Sequence, residues 1–174
     1  MFRKSTKGDV SSLMPIFEEA RGTIAALGIN QWQNGSPNRA MITEDMALGQ
    51  GRVVTEDDGA IVGTFALIYT GEPTYNAICD GAWKGADKAD DGSVAYIAIH
   101  RVAISLSRRG SGISTAIVEY AESFARILGK SSLRIDTHEG NIVMRKMLEK
   151  HGFVHCGTIY LQNGDPRVAY EKVL

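Results

Sequence analysis

Arg108-Arg109-Gly110-Ser111-Gly112-Ile113-Ser114 lies between an apolar run, Val94 to Ile104, and a stretch in which Ile113, Ile117, Ala121, Phe124, Ala125 and Leu128 recur before Gly129. The run behaves like a central strand, and the recurrence is that of an amphipathic helix. Glycines in the turn between them let the backbone approach a ligand without a Cβ, and the first turn of a helix leaves about four N–H groups without internal partners. With the partial positive charge of the helix amino end and two arginines beside it, the stretch predicts an anion cradle, and a phosphate-bearing guest suits it best.

Upstream of this turn, a short strand near Phe2 to Ser5 leads to Thr6-Lys7-Gly8-Asp9, where Thr and Asp three apart can cap a helix reciprocally. Val10, Leu13, Met14, Phe17, Ala20, Ile24 and Leu27 then follow helical spacing up to Gly28. Ile29 to Pro37 reads as a loop holding Trp32 and Gln33, and Pro37, at a first-turn position, opens a second helix through Leu48. Arg52 to Val54 and Ala60 to Tyr69 flank Asp57-Asp58-Gly59, the turn of an antiparallel hairpin. Thr70 to Gly92 is irregular, glycine-bearing and acid-rich, and loops of that length often border a site.

Downstream come a strand, Leu133 to Thr137, a helix, Asn141 to His151, and a final hairpin, Gly157 to Gln162 and Val168 to Val173, turned at Asn163-Gly164. The order is strand, two helices, three strands, helix, strand, helix, two strands. It predicts an α/β (α+β) fold with a mixed, mostly antiparallel central sheet and helices on both faces. The late hairpin, Gly157 to Leu174, is the candidate sheet edge for pairing with a second copy.

A chain of 174 residues, 44% hydrophobic and 22% charged, suits one soluble domain spanning residues 1–174. Lys plus Arg number 19 and Asp plus Glu 20, a net charge of -1, so no global basic field exists to hold nucleic acid or an anionic membrane. Cys79 and Cys156 lack the spacing of a metal site and read as buried, reduced thiols; no metal is expected. No apolar run approaches ~18 residues, and the amino terminus lacks the core of a signal peptide, so a cytoplasmic protein is expected.

Three phosphate-binding patterns compete for the decisive turn. The nucleoside-triphosphate loop needs Gly-Lys-Ser/Thr, which is absent. The dinucleotide fingerprint fits Gly110 and Gly112 but meets Thr115 at its third glycine, with Asp136 as the acidic partner. In the third, Arg109-x-x-Gly112-x-Ser114 resembles the Arg/Gln-x-x-Gly-x-Gly/Ala signature of the Gcn5-related N-acetyltransferase (GNAT) superfamily, with Ser114 departing from the final Gly/Ala. Val102-Ala103-Ile104 falls where that family ends a hydrophobic strand, Asn141 and Met144 begin its next helix, and Leu148 to Phe153 resembles its helix end followed by Gly-Phe.

The resemblance implies a fold in which the strand Tyr96 to Ile104 splays from Leu133 to Thr137, the family's fourth and fifth strands. Backbone groups of Val102, Ala103 and Ile104 would then receive the pantetheine arm of acetyl-coenzyme A. Arg108, Arg109, Gly110, Ser111, Gly112, Ile113 and Ser114 would hold its pyrophosphate, with Asn141 and Met144 nearby. The implied reaction is direct attack of an amine on the acetyl thioester, the acceptor a small molecule or, less often, a protein amine. Members of the family are often homodimers.

Two family positions are altered. The tyrosine that serves as general acid corresponds to Leu148, and the glutamate of the histone-modifying members to Ala98. His100 occupies the place of a strand histidine in aralkylamine N-acetyltransferases and is the candidate base, imidazole of ~6.5 being suited to deprotonating an ammonium. Tyr96 shares its strand parity. Trp32, Gln33, Asp80, Trp83, Asp136 and His138 are candidate acceptor contacts. The rival reading, motivated by the two altered positions, is a non-catalytic acyl-coenzyme A sensor; a dinucleotide-binding oxidoreductase is the third.

Overall fold

A computed structural model describes residues 1–174 and divides them into two compact units, Met1–Leu67 with His100–Ile117, and Ile68–Ile99 with Val118–Leu174. In chain order the elements are β1 (Phe2–Lys4), α1 (Val10–Ala26), α2 (Arg39–Ala47), β2 (Gly51–Thr55), β3 (Ile61–Ile68), β4 (Ile78–Cys79), β5 (Tyr96–Ile104), α3 (Ile113–Ile127), β6 (Ser132–Thr137), α4 (Ile142–Lys150), β7 (Val154–Tyr160) and β8 (Pro166–Val173). The fold is mixed α/β, with four helices and an eight-stranded, mostly antiparallel sheet of order β1-β2-β3-β5-β6-β8-β7-β4. Only β4, two residues inside the stretch read as irregular, is an addition to the expected order of helices and strands. No helix is long and apolar enough to cross a membrane.

In the first unit, Thr6 and Asp9 form the expected cap. Asp9 Oδ2 accepts from the Thr6 N–H at 2.7 Å and from its hydroxyl at 3.0 Å, while Arg3 forks onto the same carboxylate at 2.8 Å from each terminal nitrogen. Those bonds, led by the Arg3 guanidinium, lower the Asp9 pKa to about 2. Helix α1 buries Val10, Leu13, Ile16, Phe17, Ala20 and Ile24, the face that its spacing predicts. Leu13, Ile16, Phe17 and Ala20 join Ile42, Val53 and Ala103 in one core cluster. Fully buried Leu13 and Phe17 each contribute about 2–3 kcal/mol of apolar transfer.

The second helix begins later than its proline suggested. Pro37 precedes the cap, which is Asn38, whose side-chain oxygen satisfies the Met41 N–H at 3.0 Å. Strands β1 and β2 pair antiparallel, Phe2 opposite Val54, and β2 pairs β3 through the expected turn, where Asp58 accepts from the Ala60 N–H at 2.9 Å.

In the second unit, β5 and β6 run parallel and pair Tyr96, Ile97 and Ala98 with Ser132, Leu133 and Arg134. Strand β6 then pairs β8 antiparallel along its whole length, and β8 pairs β7. Two readings of the tail are corrected. Strand β7 starts at Val154 rather than Gly157, because Val154 pairs with Glu171 and the register slips between His155 and Gly157. Nor is the whole hairpin an edge: β8 lies between β6 and β7, and β4 pairs with Thr158 and Ile159 of β7. Gly157 permits that pairing. Its φ is 148°, and a Cβ there would meet the Cys79 carbonyl oxygen at 2.5 Å.

Candidate functional site

Beyond β5 in the first unit, the chain turns through Leu106–Arg108, held by Glu19 of α1, which accepts from the Leu106 N–H at 2.8 Å and the Ser105 hydroxyl at 3.3 Å. Gly110 and Gly112 then take φ of 74° and 85°, the left-handed region that costs an L-residue roughly 1–2 kcal/mol. The Gly112 carbonyl accepts from the Ala116 N–H at 3.0 Å and so starts α3, a helix of 15 residues. Residues 106–112 are all exposed, and nothing stands within 4 Å of a Cβ built at Gly110 or Gly112, so the face of the turn is open.

The two arginines are not equivalent. Arg108 is paired with Glu56 at 2.7 Å, whereas Arg109 donates to the neutral Thr23 hydroxyl at 2.8 Å. Arg109 therefore keeps its full charge for an anion. Ser111 donates its hydroxyl to the Arg108 carbonyl at 2.5 Å and braces the turn, and Ile113 and Ser114 fall in the half-buried first turn of α3. This donor set, an unneutralised guanidinium beside exposed main-chain N–H groups at a helix amino end, fits a pyrophosphate.

Ahead of the turn, Ala103 is buried in the core cluster, while His100, Val102 and Ile104 are half-buried. Arg101 has a φ of 55°, which interrupts the strand's alternation directly after His100, and its guanidinium forks onto Asp45 of α2, Nε to Oδ2 at 2.6 Å and Nη2 to Oδ1. Asp45 is 5% exposed, so this is a buried tether between α2 and the irregular point of β5. The sequence gives no sign of it, since an arginine within an apolar strand reads only as one of its two polar interruptions. Trp32 and Gln33 serve their own loop. Trp32 packs edge-on against Phe17 with centroids 6.0 Å apart, and the Gln33 amide donates to the Arg21 and Gln31 carbonyls.

The second unit is organised around Arg134, which is wholly buried. Its Nε meets Glu171 Oε1 at 2.8 Å, its Nη1 meets Asp87 Oδ1 at 2.6 Å, and its Nη2 donates to the Gly85 carbonyl at 3.0 Å. The guanidinium carbon lies 4.4 Å from the centre of the Trp83 ring and 4.1 Å from that of Tyr96. Glu171, equally buried, also accepts from the Ser132 hydroxyl at 2.7 Å, the Lys84 N–H at 2.5 Å and the Gly85 N–H at 2.9 Å. Burial would raise its pKa, but the bonds from Arg134, Ser132 and Gly85 outweigh burial and hold it below the usual carboxylate range.

The acid-rich segment is thus fastened from beneath. Trp83 packs tilted against Tyr75 with centroids 5.0 Å apart and donates to its carbonyl at 2.9 Å. Tyr75, fully buried, donates to Asp136 at 2.8 Å; burial first, and then that carboxylate, push its pKa well up. The Tyr96 oxygen accepts from the Glu72 N–H at 3.1 Å. Asp136 and Trp83, both candidates, therefore share one cluster with Tyr96. Of the other candidates, Asp80 is exposed with a φ of 55°, and His138 Nδ1 accepts from the Gly140 N–H at 3.0 Å, closing a turn. Asn141 caps α4 by accepting from the Met144 N–H, and Leu148 is wholly buried on the same helix. Tyr75, Arg134, Glu171, Glu72 and Asp87 were missed; the nearest signal was a charged residue in an apolar strand, Leu133-Arg134-Ile135.

No group of three or more His, Cys, Asp or Glu side chains is placed to hold a metal ion. The family model described as "Acetyltransferase (GNAT) family" matches residues 16–153. A GNAT-family acetyltransferase from Streptococcus agalactiae is 33% identical, with a TM-score of 0.84 over 100% of this chain and 95% of that one. One from Listeria monocytogenes is 20% identical, with a TM-score of 0.73 over 100% and 94%. A ribosomal-protein-alanine N-acetyltransferase from Brucella melitensis is 18% identical, with a TM-score of 0.66 over 100% and 98%. No curated protein sequence matches.

Proposed function

Since the chain belongs to the GNAT acetyltransferase family and is thereby an acyltransferase, we propose that it moves the acetyl group of acetyl-coenzyme A to the amine of a small molecule. The observation that carries this reading is the turn Arg109 to Ser114, in which two left-handed glycines and an unneutralised guanidinium stand before the amino end of α3. The whole of residues 1–174 serves as one catalytic domain of the cytoplasm; of its two free thiols Cys156 is buried, as expected, whereas Cys79 is exposed.

Acetyl-coenzyme A supplies an activated thioester; the chain supplies position and proton transfer. Arg109, Gly110, Ser111, Gly112, Ile113 and Ser114 hold the pyrophosphate, with Arg108 contributing through the field left after its pairing with Glu56. Main-chain groups of Val102, Ala103 and Ile104 receive the pantetheine, and Asn141 and Met144 complete the cofactor side. His100, placed next to the irregular point of β5, takes the proton of the attacking ammonium. With Leu148 buried and apolar, the family's usual acid has no counterpart at that position; either another group protonates the departing thiolate or it leaves unprotonated near neutral pH. Tyr96, Trp83 and Asp136 belong to the acceptor side.

Thiol release from acetyl-coenzyme A, followed with a panel of small amines, tests this directly. The expected result is amine-dependent release saturating in both substrates. Because one relative is named for a ribosomal-protein alanine, a peptide with a free amino terminus belongs in the panel, and turnover on that alone would replace the small-molecule acceptor. Tight coenzyme A binding with no turnover on any acceptor would overturn the reading.

A further inference from the structure

The second unit contains a pocket of about 210 Å³ lined by Thr70, Gly71, Glu72, Asp87, Lys88 and Tyr96 among others. That is ample room for several waters or for a small-molecule ligand. Its polar groups are of both signs. Tyr96 is 3% exposed; its oxygen takes the Glu72 N–H, and the structure gives the phenol proton no acceptor. Tyr96 lines the pocket, so its hydroxyl proton is available to a ligand held there. Burial is also the first cause raising the Tyr96 pKa, so the phenol stays protonated and remains a donor.

Around that donor, Lys88 is exposed and has no carboxylate partner, while Asp87 spends Oδ1 on Arg134 and, with its side chain 70% exposed, keeps Oδ2 for another cation. Glu72 is engaged by the Thr74 N–H and hydroxyl at 3.1 and 2.8 Å. The buried Arg134 fixes the layout, since the same guanidinium holds Asp87 and lies on the Tyr96 ring. A pocket lined by a hydroxyl donor, an ammonium and carboxylates has a group for each end of a zwitterion. A diamine would set its second charge against Lys88 and leave the Tyr96 proton unmet.

We propose that this pocket recognises an amino acid, its carboxylate received by the Tyr96 hydroxyl and Lys88 and its ammonium by Asp87. The proposal deepens, and rests on, the reading of the chain as an acetyltransferase of small amines.

The test is calorimetric titration of the full chain, with coenzyme A present, by amino acids and by the amines left when their carboxyl groups are removed, such as L-methionine against 3-(methylthio)propylamine. Amino acids are expected to bind about tenfold or more tightly than their amines. Tyr96→Phe and Lys88→Met should each weaken the amino acids by about tenfold and leave the amines unchanged, and Asp87→Asn should weaken both. Lys88 is exposed, so its variant keeps the test independent of folding. Equal binding of the two classes, equal loss of both in Tyr96→Phe and Lys88→Met, or no amino-acid binding at all overturns the site. Titration needs no turnover: binding without acetyl transfer would overturn the proposed function alone, whereas transfer to simple amines with no amino-acid preference would overturn the pocket alone.

Discussion

Replacing Arg134 by Met removes the guanidinium from the centre of the second unit and keeps most of its apolar stem. Glu171 would retain its bonds from Ser132, Lys84 and Gly85 but lose the one formal charge opposing its own, at a position with no exposure. Stranding a buried charge in this way costs about 3–5 kcal/mol. The two ring contacts, with Trp83 and Tyr96, add about 0.5–2 kcal/mol each. Taking the ion pair alone and a urea slope of about 2 kcal/mol/M, the unfolding midpoint should fall by roughly 1.5–2.5 M. Glu171→Leu should fall by a similar amount, because it leaves Arg134 with only the exposed Asp87 as counter-charge. The double variant, with both charges gone, should cost less than either single change. Equilibrium unfolding of the four proteins measures this. Single variants within about 1 kcal/mol of the parent, or a double variant costing their sum, would refute the claim that this pair fastens the acid-rich segment.

Further changes probe the other unit. Gly112→Ala forces a Cβ into a φ of 85° and should weaken coenzyme A binding about tenfold, as should Arg109→Met, whereas Arg108→Met, already neutralised by Glu56, should cost less; titration calorimetry ranks them. His100→Ala should lower acetyl transfer by about 10²–10⁴-fold at neutral pH and much less at high pH, where free amine is abundant; an unchanged pH-rate profile removes His100 from the mechanism. Asp9 is depressed to about 2, so its contribution is present above the unfolded carboxylate value near 4 and is lost as pH falls towards 2. Comparing the acid unfolding of Asp9→Asn with the parent should show a difference of under about 1 kcal/mol at pH 6 that vanishes near pH 2.

The fold was legible because its signals are local. Helical spacing from Val10 to Leu27, the Asp57-Asp58-Gly59 and Asn163-Gly164 turns, and the glycine turn ahead of Ile113 each specify their own element within a few residues. What escaped is long-range. Ile78–Cys79 is too short to carry a period, and it becomes a strand only because β7 offers an edge to pair with. Pro37 misled by two residues, the helix starting at Arg39, because a proline before the cap and one just inside it look alike in sequence.

On the site, the anion turn was readable from glycine, arginine and helix periodicity, but the difference between Arg108 and Arg109 depends on Glu56 and Thr23, more than fifty residues away. The Arg134–Glu171 pair and the Arg101–Asp45 tether were equally invisible. A charged residue in an apolar strand states that a partner exists, and its separation of 37 residues in one case and 56 in the other gives no period by which to find it.

The central claim is that the turn from Arg109 to Ser114 receives the pyrophosphate of acetyl-coenzyme A. A crystal structure of the full chain with acetyl-coenzyme A measures it directly. The account predicts pyrophosphate oxygens within hydrogen-bond distance of main-chain N–H groups between Gly110 and Ser114, with the Arg109 guanidinium alongside. A pyrophosphate ordered elsewhere on the protein, with this turn unchanged and solvated, would contradict it.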